Sequence, residues 1–269
     1  MTHFEAFLYG MVQGLTEYLP VSSSAHLVLL PRVLKHADPG LAFDVFLHLG
    51  TLLATLYYFR KDWVAIWKTL PRPFGTGKKT AASPLPWHFL VLATIPALAV
   101  GYIFHHAAET VFRSNWITAA TMATGGILLY CSDQFFSRRR NLTTIQMRDI
   151  LWVGACQCLA IIPGFSRSGS TIMGGRFLGF DRASAARLSF LMSMPVTAAA
   201  VVYEMRKWHE LASSTIGLTQ LVVAGVSAFV FGILAIGGLL KLVKTNSFLG
   251  FVIYRLGFAV AVLWAFGLY

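Results

Sequence analysis

Charge is what this chain has least of. Only 12% of its 269 residues are Asp, Glu, Lys or Arg, where a soluble domain carries roughly 25%. Acidic residues are the scarcer kind, 11 against 22 basic ones. Cysteine is rare as well. Cys131, Cys156 and Cys158 sit in or beside apolar segments, so they read as small packing residues and not as a disulfide or zinc framework. The first five residues hold no Lys or Arg, so a cleavable signal peptide is not expected. The alternating pattern of a membrane β-barrel is missing too, because the apolar runs are continuous. What is abundant is apolar surface: 56% of residues are hydrophobic and the mean hydropathy is +0.64. The expectation is a single all-α membrane domain, a polytopic helix bundle. The net charge of +11 lies mostly between apolar runs. Membrane topology and anionic lipid explain it there, and nucleic acid is not an expected partner.

The apolar run from Phe4 to Val12 is too short to span a bilayer, which takes about 20 residues. A polar cluster follows it: Gln13, Glu17, Ser22, Ser23, Ser24 and His26, broken at Pro20. Two short helices around such a break suggest a re-entrant hairpin. Backbone of that kind is tolerated at membrane depth only when protein buries it or it lines a cavity. Spans are expected over residues 41–59, 86–104 and 116–131. The pattern then restarts. A short apolar run over 150–162 breaks at Pro163 and Gly164, and Ser166, Arg167, Ser168, Ser170 and Thr171 follow. Three more spans are expected over 183–203, 218–240 and 248–268.

Counting supports an internal repeat. Gln13 to Ser22 is nine positions, as is Gln157 to Ser166, and Ser24 and Ser168 also match at an offset of 144. The pair Arg60 and Trp63 is echoed near that offset by Arg206 and Trp208. A hairpin plus three spans crosses the membrane an odd number of times, so the second copy must be inverted. Repeat 1 then covers about residues 1–147 and repeat 2 about 148–269. Inverted repeats with broken helices meeting near the midplane are a transporter-like architecture. The four loops that would share one side carry fifteen basic residues, against five on the other. That bias makes the first side cytoplasmic and leaves both termini outside.

Glu17 is the first candidate for chemistry, because a carboxylate in the hydrocarbon zone is expensive. Gln13 lies four residues earlier on the same helix face. Glu17, and less convincingly Gln13, could hold Mg²⁺ or Ca²⁺, which favour oxygen ligands and bridge phosphates. The alternative is a structural pairing of Glu17 with an arginine. Ser22 is a plausible helix N-cap. His26 shares a face with Ser22 and Ser23, so a Ser–His nucleophile is one reading. A histidine that activates water or protonates a leaving phosphate is another. Arg167, in a Ser/Gly-rich loop, suits a phosphate with its planar fork. An Arg167–Glu17 ion pair joining the repeats is the structural alternative. Asp44, His48 and Arg255 are supporting positions: the first two near a cavity entrance or paired with each other, the third snorkelling or neutralising an anion. His105 and His106 read as interfacial. Gly10 and Gly14 read as a helix-packing pair. Trp63, Trp87, Trp116 and Trp208 read as aromatic belts.

At these residues the sequence resembles the undecaprenyl pyrophosphate phosphatase family, also called bacitracin-resistance proteins. One family motif, Glu/Gln-x-x-x-Glu followed by Pro-Val-Ser-Ser-x-x-His, is met by Gln13, Glu17, Pro20, Ser22, Ser23 and His26. The other, Pro-Gly-x-Ser-Arg-Ser-x-x-Thr, is met by Pro163, Gly164, Ser166, Arg167, Ser168 and Thr171. Many members have Glu where this chain has Gln13. The resemblance implies removal of the terminal phosphate from undecaprenyl diphosphate with divalent-cation dependence. That recycles the cell-wall carrier lipid and confers bacitracin resistance. It also implies six spans with two re-entrant helix pairs in a bacterial inner membrane, and a site open to the periplasmic side. By position, Glu17, Ser23, His26 and Arg167 resemble the catalytic set, and Ser22, Ser166, Ser168 and Thr171 the phosphate binders. The expected partners are the polyprenyl diphosphate lipid and the bilayer; a homodimer is one assembly this allows. The rival from another class is a lipid flippase or transporter using the same site. Membrane lipid phosphatases with a histidine nucleophile are a second rival, but most of their motifs are missing.

Overall fold

The structure, a computed structural model, describes residues 1–70, 85–204 and 216–267. Arg72, Lys78, Lys79, Arg206, Lys207 and Trp208, which entered the charge, repeat and belt expectations, lie outside the described residues. Among the described residues the chain is helical throughout. The helices are α1 (His3–Tyr18), α2 (Ser23–Leu34), α3 (Leu41–Tyr58), α4 (Arg60–Trp67), α5 (Trp87–Ile103), α6 (His105–Glu109), α7 (Asn115–Phe135), α8 (Met147–Gln157), α9 (Arg167–Phe177), α10 (Arg182–Glu204), α11 (Leu218–Leu242) and α12 (Leu249–Phe266). Both polar stretches fall at breaks between short helices, α1 to α2 and α8 to α9. By length and composition, α10, α11 and α12 are apolar enough to cross a membrane, while α3 and α5 are shorter apolar helices.

Local chemistry explains the ends. Thr2 Oγ1 accepts the Glu5 N–H at 3.2 Å and Glu5 Oε2 accepts the Thr2 N–H at 2.6 Å. This capping box starts α1 ten residues before Gln13, the first residue of the polar cluster. Pro31 does not end α2, which continues to Leu34.

The helices pack reciprocally. α1 lies against α11, where a Cβ on Gly10 would meet the Ala224 carbonyl oxygen at 2.2 Å and one on Gly14 the Ala228 carbonyl oxygen at 2.6 Å. α8 lies against α5, where a Cβ on Gly154 would meet the Ala93 carbonyl oxygen at 2.8 Å. Gly154 stands 144 residues after Gly10, the same offset as the polar stretches. In each case a glycine lets the helix before the break approach a helix distant in sequence. Gly10→Val should force α1 and α11 apart and cost about 1–3 kcal/mol. Thermal unfolding in detergent checks this, and an unchanged midpoint would contradict the close contact.

The main core gathers Tyr18, Phe89, Phe180, Phe190 and Phe248. Trp63 belongs to that core and not to an aromatic belt, because α4 folds back onto the bundle and buries it. At one end of the bundle Asp62, Asn141, Ser184, Arg187 and Lys241 line a common cleft of about 530 Å³. Described residues from each of the four basic segments therefore meet there. Arg176 nonetheless stays out of solvent; it is fully buried and bonds Asp133, Ser137 and Phe180, while Arg182 grips both Asp133 oxygens at 2.7 and 2.8 Å. At the opposite end His3 reaches Thr219 at 3.3 Å, and Arg32 donates to Asn115 at 2.5 Å.

Candidate active site

The site is built where the two breaks meet. After α1, Leu19 is extended and Pro20 offers no N–H, so the helix stops. After α8, a short 3₁₀ turn leads to Pro163 and to Gly164 at φ 99°. Ser22 and Ser166, which open the second helix of each pair, have φ of 71° and 70°. A serine held in that region costs about 1–3 kcal/mol and persists only where the surroundings dictate it.

The surroundings here are the two turns themselves. Ser22 Oγ accepts the Gly164 N–H at 3.1 Å. Ser168 Oγ donates to the Leu19 carbonyl at 3.0 Å. Ser22 is therefore not the hydroxyl cap expected for α2. Its positive φ swings the side chain toward the other turn, and besides Gly164 it meets Ser24 Oγ at 3.2 Å. Ser166 does cap its helix, accepting the Gly169 N–H at 3.0 Å.

Arg255 locks the crossing. It is fully buried, so it does not snorkel, and among the described residues it bonds no carboxylate. Its guanidinium donates to the carbonyls of Pro20 (3.1 Å), Gly164 (2.9 Å), Phe165 (3.1 Å), Met122 (3.0 Å) and Thr121 (3.3 Å). The expected role in neutralising an anion gives way to this one because the carbonyls of the two breaks, which no helix satisfies, together with two carbonyls of α7 take up its donors. Gly125 makes room, since a Cβ there would lie 2.2 Å from Arg255 Nη2.

Glu17 is the point both halves share. It is 7% exposed, and its Oε1 accepts from Arg167 Nη2 at 2.6 Å. Its Oε2 accepts from Ser23 Oγ at 2.7 Å and from Gln13 Nε2 at 3.2 Å. His48 Nε2 approaches the same oxygen at 3.4 Å, while its Nδ1 faces the Asp44 carbonyl at 2.7 Å. The ring is thus oriented by the Asp44 carbonyl with Nε2 turned toward Glu17. One carboxylate thus sits between a guanidinium and an imidazole, both groups suited to contact a phosphate. Arg167 also donates to the Ser189 carbonyl at 3.3 Å, which anchors it to α10. The Arg167–Glu17 ion pair weighed on sequence grounds is present, and it places the arginine beside the serine.

Ser23 and His26, expected as partners, bond elsewhere. Ser23 gives its proton to Glu17, and His26 bonds the Ser22 carbonyl through Nδ1 (2.7 Å) and the Tyr254 hydroxyl through Nε2 (2.6 Å). Position 23 lies at the start of α2, where Glu17 of the preceding helix is the nearer acceptor. The expected phosphate binders Ser166, Ser168 and Thr171 are buried. Ser168 spends its hydroxyl on the Leu19 carbonyl, and Thr171 bonds Ser189 Oγ at 2.7 Å and the Arg167 carbonyl at 2.9 Å. They shape the turn that presents Arg167. Ser23, Ser24, His26, His48 and Arg167 keep solvent-accessible surface.

The donor set fits a hard cation only in company. Gln13 Oε1 is buried without a hydrogen-bond partner, next to the Glu17 carboxylate. Among the described residues no cluster of three His, Cys, Asp or Glu side chains could hold a metal alone. A Mg²⁺-type ion, which binds through one or two protein oxygens and substrate phosphates, matches that description.

Three residues at this site carry little or no signal in the sequence. His48 was legible as a rare imidazole in an apolar run, but not as a Glu17 partner. Ser189 and Tyr254 carry no sequence signal, being ordinary residues of apolar helices.

A family model described as bacitracin resistance protein BacA matches residues 6–261. A Gemmatimonas aurantiaca protein named undecaprenyl-diphosphatase is 44% identical over 263 residues, covering 97% of each chain. One of the same name from Desulforudis audaxviator is 44% identical over 267 residues, 98% of each chain. A third, from Moorella thermoacetica, is 41% identical over 268 residues, 98% of this chain and 99% of the relative.

Proposed function

The chain belongs to the bacitracin resistance protein BacA family, and on that premise we propose that it is a membrane undecaprenyl-diphosphatase whose reaction centres on Glu17. It hydrolyses undecaprenyl diphosphate to undecaprenyl phosphate and inorganic phosphate, and so serves cell-wall synthesis and bacitracin resistance. Nothing in the matches favours the flippase reading. The observation that carries the site is the convergence on one carboxylate of a serine hydroxyl from the first stretch and an arginine from the second.

In this reading the terminal phosphate binds beside Arg167 and His48. Ser23 Oγ attacks the terminal phosphorus in line while its proton passes to Glu17, the base it already faces at 2.7 Å. The Oγ–P bond forms, the P–O bond to the bridging oxygen breaks, and prenyl phosphate departs. Water then hydrolyses the phosphoserine, with His26 taking its proton and the serine regaining its own. Arg167 stabilises charge on the equatorial oxygens. A divalent cation would be held by Glu17 and Gln13 Oε1 and would supply charge neutralisation between the two phosphates.

The architecture in this reading is two inverted repeats, each a re-entrant pair and three spans. It is supported by the ends of the hairpins: α1 begins by Thr219 and α2 ends by Asn115, while α9 ends on Asp133 among the basic segments. The basic end faces the cytoplasm and both termini face outside, with the site open to the outer leaflet. Purified protein should release phosphate from a prenyl diphosphate, with a chelator lowering the rate. Ser23→Ala should lose on the order of 10³-fold. Normal turnover by that variant would remove the covalent route and leave water activated by Glu17.

A further inference from the structure

His26 does not hold its own ring. Nδ1 lies 2.7 Å from the Ser22 carbonyl oxygen. A carbonyl only accepts, so Nδ1 carries the proton and Nε2 of the neutral ring holds the lone pair. That lone pair meets the Tyr254 hydroxyl at 2.6 Å. The tyrosine and imidazole planes are 6° apart with centroids 5.8 Å apart, and the Phe258 ring supports the imidazole at 4.5 Å.

Packing does not require a phenol at this position. Tyr254 is 45% exposed, and it lines an apolar groove of about 680 Å³ with Leu19, Val21, Phe251 and Ile253. A phenylalanine would fill the same space. The hydroxyl's partner is Nε2, and the next residue, Arg255, ties this turn of α12 to the Pro20 and Gly164 carbonyls. The hydroxyl is therefore held in register with both breaks.

We propose that Tyr254 is the positioning residue for His26, holding the proton-accepting nitrogen of that ring in place for the phosphatase reaction. The inference rests on the role given to His26 above. Substrate water replaces the tyrosine hydroxyl at Nε2 during turnover, and the hydroxyl keeps the ring from rotating between cycles.

The test uses full-length protein in nanodiscs, with phosphate release from a prenyl diphosphate measured for Tyr254→Phe, His26→Ala and the double variant. Tyr254→Phe should lower kcat about tenfold, the value of one lost hydrogen bond, with KM little changed. In the His26→Ala background the same substitution should cost nothing further, because it acts only through the imidazole. Losses that multiply, or a Tyr254→Phe enzyme with wild-type kcat, would overturn the proposal. Wild-type turnover by His26→Ala would instead overturn the role of His26 in the proposed function. If the His26→Ala rate is too small for the cycle, imidazole ¹⁵N spectra decide. The His26 signal, identified by its loss in His26→Ala, should show the Nδ1–H tautomer, and its Nε2 resonance should move downfield in Tyr254→Phe. An unmoved resonance means the hydroxyl does not hold the ring.

Discussion

Replacing Arg167 by alanine should lower kcat/KM for phosphate release by about 10³-fold or more, the scale for a group that stabilises a transferring phosphoryl. Two losses combine in this variant. The transition state loses its planar fork of donors, and Glu17 Oε1 loses the partner at 2.6 Å that fixes its orientation. Arg167→Lys keeps the charge but cannot hold both Glu17 and the Ser189 carbonyl, so it should recover only part of the rate. Unfolding curves taken beside the kinetics separate site damage from misfolding. The loop should remain, because Ser166, Ser168 and Thr171 hold it through bonds that do not involve the guanidinium. An Arg167→Ala enzyme within tenfold of wild type would end the case for this site.

Arg255→Met should cause the largest loss of stability, on the order of 3 kcal/mol or more. Methionine fills the volume but donates nothing, so the buried carbonyls of Pro20, Gly164 and Phe165 lose their donor, and each such orphan costs roughly 1–3 kcal/mol. The two turns carry Ser22 and Ser166 at positive φ. Without the clasp they should relax, and phosphate release should fall although Arg255 touches none of Glu17, Ser23 or Arg167. Arg255→Lys should lie between, since three donors from one nitrogen cannot reach carbonyls on three segments. The measurements are thermal unfolding in detergent and turnover on the same preparations. An Arg255→Met protein with unchanged unfolding and unchanged rate would show that the turns hold themselves.

Much of this was legible in the linear chain because membranes punish polar groups individually. Glu17, Arg167 and the serines declared themselves by standing in apolar surroundings, and Pro20 and Pro163 declared the breaks. Gly10 and Gly154 share the repeat offset, so that packing pair could have been found by counting. Side-chain direction was not legible. Spacing put His26 on a face with Ser23, but Ser23 in the first turn of α2 met Glu17 of α1, and His26 met Tyr254 of α12. Spacing alone likewise left Arg255 without a partner, because its acceptors are backbone carbonyls drawn from three distant segments and carbonyls have no sequence identity.

Composition and pattern by themselves determined a helical membrane protein and the two polar stretches with the charged residues they carry. The hydrophobic effect and the cost of unsatisfied backbone act residue by residue, so the order of residues encodes them. Which oxygen faces which nitrogen was decided only when α1, α2, α9 and α12 closed around one point. Hydrogen bonds are directional and short, and a rotation of one turn exchanges one partner for another.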